Sequence, residues 1–242
     1  NGFKFGGRDG GVLGGTEIKP LINEYRDLLA EPGRAAGLCA EVENVPFAEV
    51  ERVFGRSAEY KTAALLEYAE HLREVVSAAA DPAEQENFFY GLRSALEISP
   101  LGIVADLNGS ARTVSIDRDF LEEAGLSVEV MNGIPGRIAH RIVPEGESLE
   151  PCRRRLEELV AGGAPYVLGY VPDNDGDRGN IVYYDNRKGR AKSLEAQEVF
   201  ALALLAETGY LALTGSGGGR TAVVVNGPTS MCIDRIAAAY GV

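Results

Sequence analysis

The stretch DNDGDR places three carboxylates, Asp173, Asp175 and Asp177, at alternate positions of a short loop between two apolar runs. Two unit charges about 4 Å apart repel by roughly 4 kcal/mol at an effective dielectric of about 20. Carboxylates that converge therefore need a cation or must give up charge, whereas carboxylates that diverge into water need neither. The pattern predicts either a site for a hard divalent cation such as Mg²⁺ or a solvated acidic turn.

The residues between the aspartates bear on this choice. Alternate residues of an extended strand lie about 7 Å apart, so the loop must curl before all three carboxylates can reach one ion. Asn174 and Gly176 are residue types that tolerate the tight or left-handed backbone a curl requires. An EF-hand is excluded, because its sixth residue is Gly and its twelfth is Glu, whereas this chain has Arg178 and Tyr184 there.

The segments around the loop predict an α/β fold. After Pro100, short apolar runs alternate with amphipathic helical segments, which is typical of a three-layer α/β unit with a mixed, largely parallel sheet. Sites in such sheets lie beyond the carboxyl ends of strands, and Asp173 directly follows the apolar run YVLGYVP. Residues 57–97 have a helical pattern, with Asp81 as an N-cap. RTAVVVN predicts a strand and TSMCIDRIAAAYG a helix.

Composition narrows the class of protein. The chain has 242 residues, of which 45% are hydrophobic, enough to fill a core. A net charge of -12 without a block of Lys and Arg argues against nucleic acid or an anionic membrane as a partner. Apolar runs such as VFALALLA are shorter than the roughly 20 residues of a membrane span. Three widely spaced cysteines fit a reducing cytoplasm, so we expect a cytoplasmic protein.

Several segments together resemble the α-D-phosphohexomutases, the family of phosphoglucomutase and phosphomannomutase. DNDGDR is similar to the family's metal loop, D-x-D-x-D-R, which also follows a strand. NGFKF with DGG resembles the stretch after the family's phosphoserine loop, IVADLNG its VVDPLNG turn, and VVVNGPTSMCIDRIAAAYGV the start of its third domain. The resemblance implies phosphoryl transfer between an active-site phosphoserine and hexose 1-phosphate or 6-phosphate, with a hexose 1,6-bisphosphate intermediate.

The resemblance also implies roles for individual residues. Asp173, Asp175 and Asp177 would hold Mg²⁺, and Arg178 would lie beside them near the phosphoryl group. Lys4 matches the lysine that serves as general acid or base for the sugar hydroxyl. From the residues alone, Arg178 is also explained as a counter-ion of the acidic loop, and Lys4 as a solvated surface lysine.

By the same resemblance, residues 1–56 correspond to the end of the first domain with a helical extension, 57–191 to the second domain with the metal loop, and 192–242 to the beginning of the third. We expect the chain to be part of a longer protein, with the phosphoserine motif Ser-His-Asn-Pro before Asn1. The chain alone is then predicted to be inactive.

One loop departs from the family's pattern. The family's F-P-x-H-x-P-x-P loop is replaced by GRIAHRIVPEG. His140 either keeps the place of the family's histidine or is a surface or capping histidine, and we favour the second interpretation. The alternative to an enzyme is a non-catalytic module that binds metal or sugar phosphate and has kept the fold.

Overall fold

The structure is a computed structural model that describes residues 5–8, 11–215 and 221–242. The chain divides into two compact units, Asn1–Ala63 and Ala64–Val242. The described part of the first unit is helical from Gly15 onward and has an isolated antiparallel bridge between Gly6 and Val12 before it. It contains α1 (Gly15–Ala30), α2 (Pro32–Glu43), α3 (Phe47–Gly55) and the beginning of α4 (Ser57–Ser77).

The second unit contains the sheet and the remaining helices. Its strands are β1 (Gly102–Asp106), β2 (Ser127–Met131), β3 (Tyr166–Pro172), β4 (Gly179–Asp185) and β5 (Arg190–Ser193). Its helices after α4 are α5 (Pro82–Ile98), α6 (Asp117–Glu123), α7 (Glu150–Ala161), α8 (Ala196–Thr214) and α9 (Cys232–Tyr240). Two short 3-10 turns occupy Ala111–Val114 and Gly146–Leu149.

The five strands form one mixed sheet in the order β2-β1-β3-β4-β5. β1 lies between β2 and β3 and is parallel to both, while β4 is antiparallel to β3 and β5 to β4. Parallel neighbours need long crossovers, which α6 and α7 provide, whereas the short loop 173–178 can join only antiparallel strands. The predicted α/β fold is confirmed, with an antiparallel edge added to its parallel part.

Helices cover both faces of the sheet. One face packs against α7 through a cluster of buried residues: Val104, Leu149, Cys152, Leu156, Val171, Val182 and Ala191. Successive strand residues point to opposite faces, so Tyr170, next to Val171, points away from α7. There its hydroxyl donates a hydrogen bond to Asp117 of α6, at 3.1 Å. The predicted three-layer arrangement is therefore present.

Asp81 caps α5 as predicted. Its Oδ1 accepts hydrogen bonds from the N–H groups of Ala83, at 2.9 Å, and Glu84, at 3.1 Å. Pro82 opens the helix at a position where no N–H is needed. α5 then places Phe89 edge-on against Phe120 of α6, with ring centroids 5.8 Å apart. The helical segment thus begins at a sequence-encoded cap and packs beside the sheet.

The strand predicted from RTAVVVN is wrong for its described part. Residues 221–226 belong to no strand, although the helix predicted after them is present as α9. A strand exists only through hydrogen bonds to a neighbouring strand, so a β-prone segment without one has no ladder to join. Val224, 90% exposed, shows how little of this segment is covered.

The apolar run VFALALLA lies within α8, a helix of 19 residues. Within the part of the chain that the structure describes, α8 is long and apolar enough to cross a membrane by length and composition alone. Core helices of soluble proteins have the same length and composition. α8 also makes specific contacts, since the Tyr210 hydroxyl donates to the Ser77 carbonyl at 3.1 Å and the Tyr210 ring packs edge-on against Phe88.

The close packing of α7 on the sheet can be tested at Gly169. A Cβ there would lie 2.4 Å from the Cys152 Sγ and 3.1 Å from the Val104 carbonyl oxygen. We expect Gly169→Ala to lower the free energy of unfolding by about 1–3 kcal/mol, because neither neighbour can move without disturbing the core. Urea unfolding monitored by circular dichroism measures this change.

Gly91→Ala is the matched control, because it also adds one methyl group but finds no atom within 4 Å. Gly91 lies inside α5, where alanine is favoured over glycine by about 1 kcal/mol, so this variant should be more stable than the wild type. Equal unfolding midpoints for the two variants would contradict the packing described for Gly169.

Candidate metal centre

The loop that carries the three aspartates lies at the carboxyl edge of the sheet. Asp173 directly follows β3, and the Asp173 N–H donates to the Arg178 carbonyl at 3.0 Å, which closes the loop before β4 begins. Gly176 has φ +76°, a left-handed conformation that a residue with a side chain rarely adopts. The predicted curl is therefore present, and the loop lies where sites in α/β sheets are expected.

The three carboxylates converge. Each of Asp173, Asp175 and Asp177 offers an oxygen, and these oxygens all lie within 4.8 Å of one another. Asp173 is buried, while Asp175 and Asp177 are exposed. Oxygens on opposite sides of one Mg²⁺ ion are about 4.2 Å apart, and the corresponding distance for Ca²⁺ is about 4.8 Å. These hard oxygen donors fit a divalent cation, with a small closure needed for Mg²⁺.

Asp173 is the fixed member of the set. Its Oδ1 accepts hydrogen bonds from the N–H groups of Gly176, at 3.0 Å, and Arg178, at 3.2 Å. Its Oδ2 accepts one from Arg178 Nε at 2.9 Å. Burial by itself raises the pKa of Asp173, but the hydrogen bonds from Arg178 and Gly176 outweigh it and hold the pKa below its usual value. Asp173 is thus kept as a carboxylate.

Arg178 lies beside the aspartates. Besides its bond to Asp173, its Nε lies 3.8 Å from Asp177 Oδ1. The side chain is 69% exposed, and its terminal amino groups make no hydrogen bond with the described residues. Arg178 is therefore a counter-ion of Asp173 and Asp177 through its Nε. Its two terminal amino groups face solvent.

A second polar cluster lies at the carboxyl end of β1 and was missed by the sequence analysis. Asp106, fully buried, accepts a hydrogen bond on Oδ1 from Asn132 Nδ2 at 2.8 Å, and its Oδ2 lies 3.2 Å from His140 Nε2. The other ring nitrogen, Nδ1, lies 3.0 Å from the Arg141 carbonyl oxygen. The His140 ring thus lies between two acceptor oxygens, one of Asp106 and one of the Arg141 carbonyl.

The interpretation of His140 as a surface or capping histidine is wrong, since only 14% of its side chain is exposed and it pairs with Asp106. The loop that carries His140 is held by Asn108, which accepts hydrogen bonds from the N–H groups of Ala139 and His140. The signal in the sequence was Asp106 at the end of the apolar run IVAD, the same position that drew attention to Asp173.

A polar pocket of about 790 Å³ opens beside this second cluster. His140, Arg141, Ser148, Asn180 and Glu195 are among the residues that line it. Asn180 belongs to β4, two residues after Arg178, so the pocket and the aspartate loop share the beginning of one strand. Its volume is in the range of small-molecule sites.

Lys4, the predicted general acid or base, lies outside the described residues. The three aspartates and Arg178 are brought together, whereas the structure leaves the role of Lys4 as a prediction.

Removing one carboxylate tests whether the aspartates bind a cation. We expect Asp175→Asn to weaken Mn²⁺ binding by more than about 10-fold, because it removes a charged ligand. The melting temperature in EDTA should change little, since the Asp175 side chain is exposed. Calorimetric titration with MnCl₂ measures the affinity.

Asp119→Asn, an exposed aspartate on α6, removes the same charge away from the loop and serves as the control. We also expect Mg²⁺ to compete better than Ca²⁺ when a phosphoryl oxygen completes the site, since Mg²⁺ favours a small octahedral set. Equal Mn²⁺ affinities of the two variants would remove the aspartate loop as a metal site.

The lowered pKa of Asp173 predicts a pH dependence of stability. The pKa of Asp173 in the folded state lies below the unfolded value of about 3.9. The ionised Asp173 side chain therefore stabilises the folded state fully above about pH 3.9, and this stabilisation is lost as the pH falls through the folded-state pKa. We expect Asp173→Asn to cost about 1–3 kcal/mol at pH 6 in EDTA. The difference from the wild type should shrink below about pH 4, as measured by urea unfolding. A difference that stays constant down to about pH 2.5 would contradict the assignment.

No protein-family model matches this chain, and no curated protein matches it. One similar solved structure is described as that of a "putative phosphomannomutase from Thermus Thermophilus", with a TM-score of 0.42 and 20% sequence identity. The similarity covers 63% of this chain and 33% of that chain, so this chain spans about a third of the length of that protein. At this identity and TM-score, the likeness carries no argument about the activity of this chain.

Proposed function

We propose that this chain carries the Mg²⁺ site of a phosphohexomutase of the phosphoglucomutase and phosphomannomutase type. The observation that carries the proposal is the convergence of Asp173, Asp175 and Asp177 within 4.8 Å at the carboxyl end of β3. The solvated acidic turn, the alternative from the sequence, predicts carboxylates that diverge to reduce their repulsion. Their approach, together with the buried and ionised Asp173, favours a cation site.

In this proposal the three aspartates and Arg178 act on one phosphoryl group. Bound Mg²⁺ would neutralise charge on the transferring phosphoryl group. Three protein oxygens leave open positions on an octahedral ion, suitable for water or a phosphoryl oxygen. The solvent-facing amino groups of Arg178 would donate to phosphoryl oxygens as a planar, permanently charged fork. Arg178 is in this respect a candidate catalytic residue.

The proposed reaction moves one phosphoryl group at a time. A serine phosphate outside this chain donates its phosphoryl group to the free hydroxyl of a hexose 1-phosphate or 6-phosphate, giving the 1,6-bisphosphate and free serine. After the sugar reorients, its other phosphate returns to the serine. Lys4 is proposed to exchange the proton of the sugar hydroxyl, which requires a lysine whose amine is partly neutral.

The domain assignment stays part of the proposal. Residues 1–56 would end the first domain, 57–191 form the second with the metal loop, and 192–242 begin the third. The contact between α8 and α9 is consistent with their belonging to one domain. A cytoplasmic location stays part of the proposal, on the wide and odd spacing of the three cysteines in the sequence.

The function is tested with the complete reading frame that encodes this chain. We expect it to convert glucose 1-phosphate or mannose 1-phosphate to the 6-phosphate with Mg²⁺ and a trace of the bisphosphate. Asp175→Asn should lower kcat/KM by at least about 100-fold, because it removes charge stabilisation of the transferring group. Asp119→Asn is the control, and a coupled dehydrogenase assay measures the rate.

Each further outcome of this assay decides between hypotheses. The 242-residue chain, freed of host enzymes, should show no turnover, because the proposed nucleophile lies outside it. A complete protein that binds Mn²⁺ through the aspartates but turns over neither sugar supports the non-catalytic binding module instead. Turnover unaffected by Asp175→Asn would remove the metal loop from the mechanism.

A further inference from the structure

An ion pair lies against the aspartate loop without belonging to it. Arg112, in the turn Ala111–Val114, donates from Nε to Asp117 Oδ1 at 2.8 Å, and its Nη2 lies 2.7 Å from the same oxygen as an ion pair. Its Nη1 donates to the Tyr68 hydroxyl at 3.1 Å. The side chains of Arg112 and Asp117 are only 24% and 7% exposed. Nε and Nη1 are therefore hydrogen-bonded to partners on α6 and α4, and Nη2 pairs with the charge of Asp117.

Tyr170 of β3 completes this group. Its hydroxyl donates to Asp117 Oδ1 at 3.1 Å. Burial, and then the charge of Asp117, raise the pKa of Tyr170 far above its usual value, so the hydroxyl remains a donor. Tyr170 lies in β3, three residues before Asp173. Its hydrogen bond therefore connects the ion pair to the strand that leads into the loop.

Arg112 touches the loop at its tightest point. A Cβ on Gly176 would lie 2.5 Å from Arg112 Cδ and 3.0 Å from its Cγ, so the methylene stem of Arg112 lies directly against Gly176. Next to it, the Ala111 N–H donates to the Asn174 carbonyl at 3.0 Å. The turn Ala111–Val114 thus contacts both residues that separate the three aspartates.

The ion pair is poorly suited to a role in stability alone. Asp117 Oδ2 is buried and has no hydrogen-bond partner among the described residues, so one side of the carboxylate is unsatisfied. Buried ion pairs are often no more stabilising than apolar residues of similar volume, and an unsatisfied oxygen adds to their cost. The pair does, however, fix the guanidinium of Arg112, so the methylene stem of Arg112 stays packed against Gly176.

We propose that Arg112 is a positioning residue for the aspartate loop. Anchored by Asp117, its stem supports the turn at Gly176, while the Ala111 N–H holds Asn174, and together they set the spacing of the Asp173, Asp175 and Asp177 carboxylates. In this role Arg112 acts through the loop backbone, with its Nε and Nη1 bonded to Asp117 and Tyr68 and its stem against Gly176. The inference rests on the proposed metal site.

Mn²⁺ affinity of the 242-residue chain, measured by titration with electron paramagnetic resonance of the free ion, tests the role of the stem. Arg112→Ala removes the stem and its anchor, and should weaken Mn²⁺ binding by about 10–100-fold, as is usual for groups that orient metal ligands. Arg112→Lys keeps the methylene stem and a charge that reaches Asp117, and should restore most of the affinity. Arg118→Ala, an exposed arginine paired with Glu122, is the matched control and should bind like the wild type.

A second variant tests the same inference without leaving a buried charge unpaired. Ala111→Pro replaces the N–H that holds Asn174 by a ring carbon, which pushes the Asn174 carbonyl away. The local backbone accepts proline, because position 111 opens the turn and Ser110 before it is extended, with ψ 176°. We expect weaker Mn²⁺ binding and a shift of preference from Mg²⁺ toward the larger Ca²⁺, since a loosened loop tolerates longer bonds.

The outcomes separate this inference from the metal site itself. The positioning role is overturned if the folded Arg112→Ala and Ala111→Pro variants bind Mn²⁺ like the wild type and Asp175→Asn does not. That result would leave the metal site itself supported. A uniform loss of melting temperature with unchanged cation preference identifies Arg112 as merely structural. If Arg112→Ala does not fold, the Ala111→Pro and Arg112→Lys variants decide. A wild-type chain that binds no Mn²⁺ overturns both the metal site and this inference.

Discussion

Mutual repulsion among three neighbouring carboxylates is the constraint around which the end of β3 is built. At separations near 4.8 Å, a pair of unit charges repels by about 3–4 kcal/mol at an effective dielectric of about 20, and by less where water screens it. The chain compensates most where screening is weakest. Asp173, the buried member, receives two N–H donors and a guanidinium nitrogen, while Asp175 and Asp177 remain exposed to water.

The sheet topology places this repulsion where the chain can compensate for it. Parallel strands bring their carboxyl ends to one edge, and both β1 and β3 end in an aspartate or are followed by one, Asp106 and Asp173. Each of these two carboxylates contacts a nitrogen of a basic side chain, His140 for Asp106 and Arg178 for Asp173. The antiparallel return of β4 is what keeps Arg178 within reach of Asp173, because a long crossover would carry the chain away.

The aspartate loop is also held by packing, on the side where Gly176 lies against Arg112. Gly176 can approach Arg112 only because it has no Cβ, and the same residue supplies the left-handed conformation that closes the turn. Further along β3, Gly169 lets Cys152 of α7 approach the sheet. Close contacts at glycines therefore hold the aspartate loop against the turn Ala111–Val114, and the strand that leads into it against α7.

The alternation of apolar runs and helices predicted the β-α order from β1 to β3, because burial of one face of each element is a local property of the sequence. The cap at Asp81 was predictable for the same reason, since its partners are two and three residues away. The segment 221–226 was predicted as a strand from its valines, and it failed because pairing depends on a neighbour that local pattern does not report.

For the site, the sequence by itself determined which groups could bind a cation: three aspartates at alternate positions, separated by residues that allow a curl, with an arginine next to them. Only the tertiary structure decided that their oxygens converge, that Asp173 alone is buried, and that Arg112 and Asp117 support the turn. Asp106 and His140, 34 residues apart, were likewise paired only by the fold. The physical reason is that residue type and spacing are local, whereas convergence, burial and support come from segments that meet only when the sheet and its helices assemble.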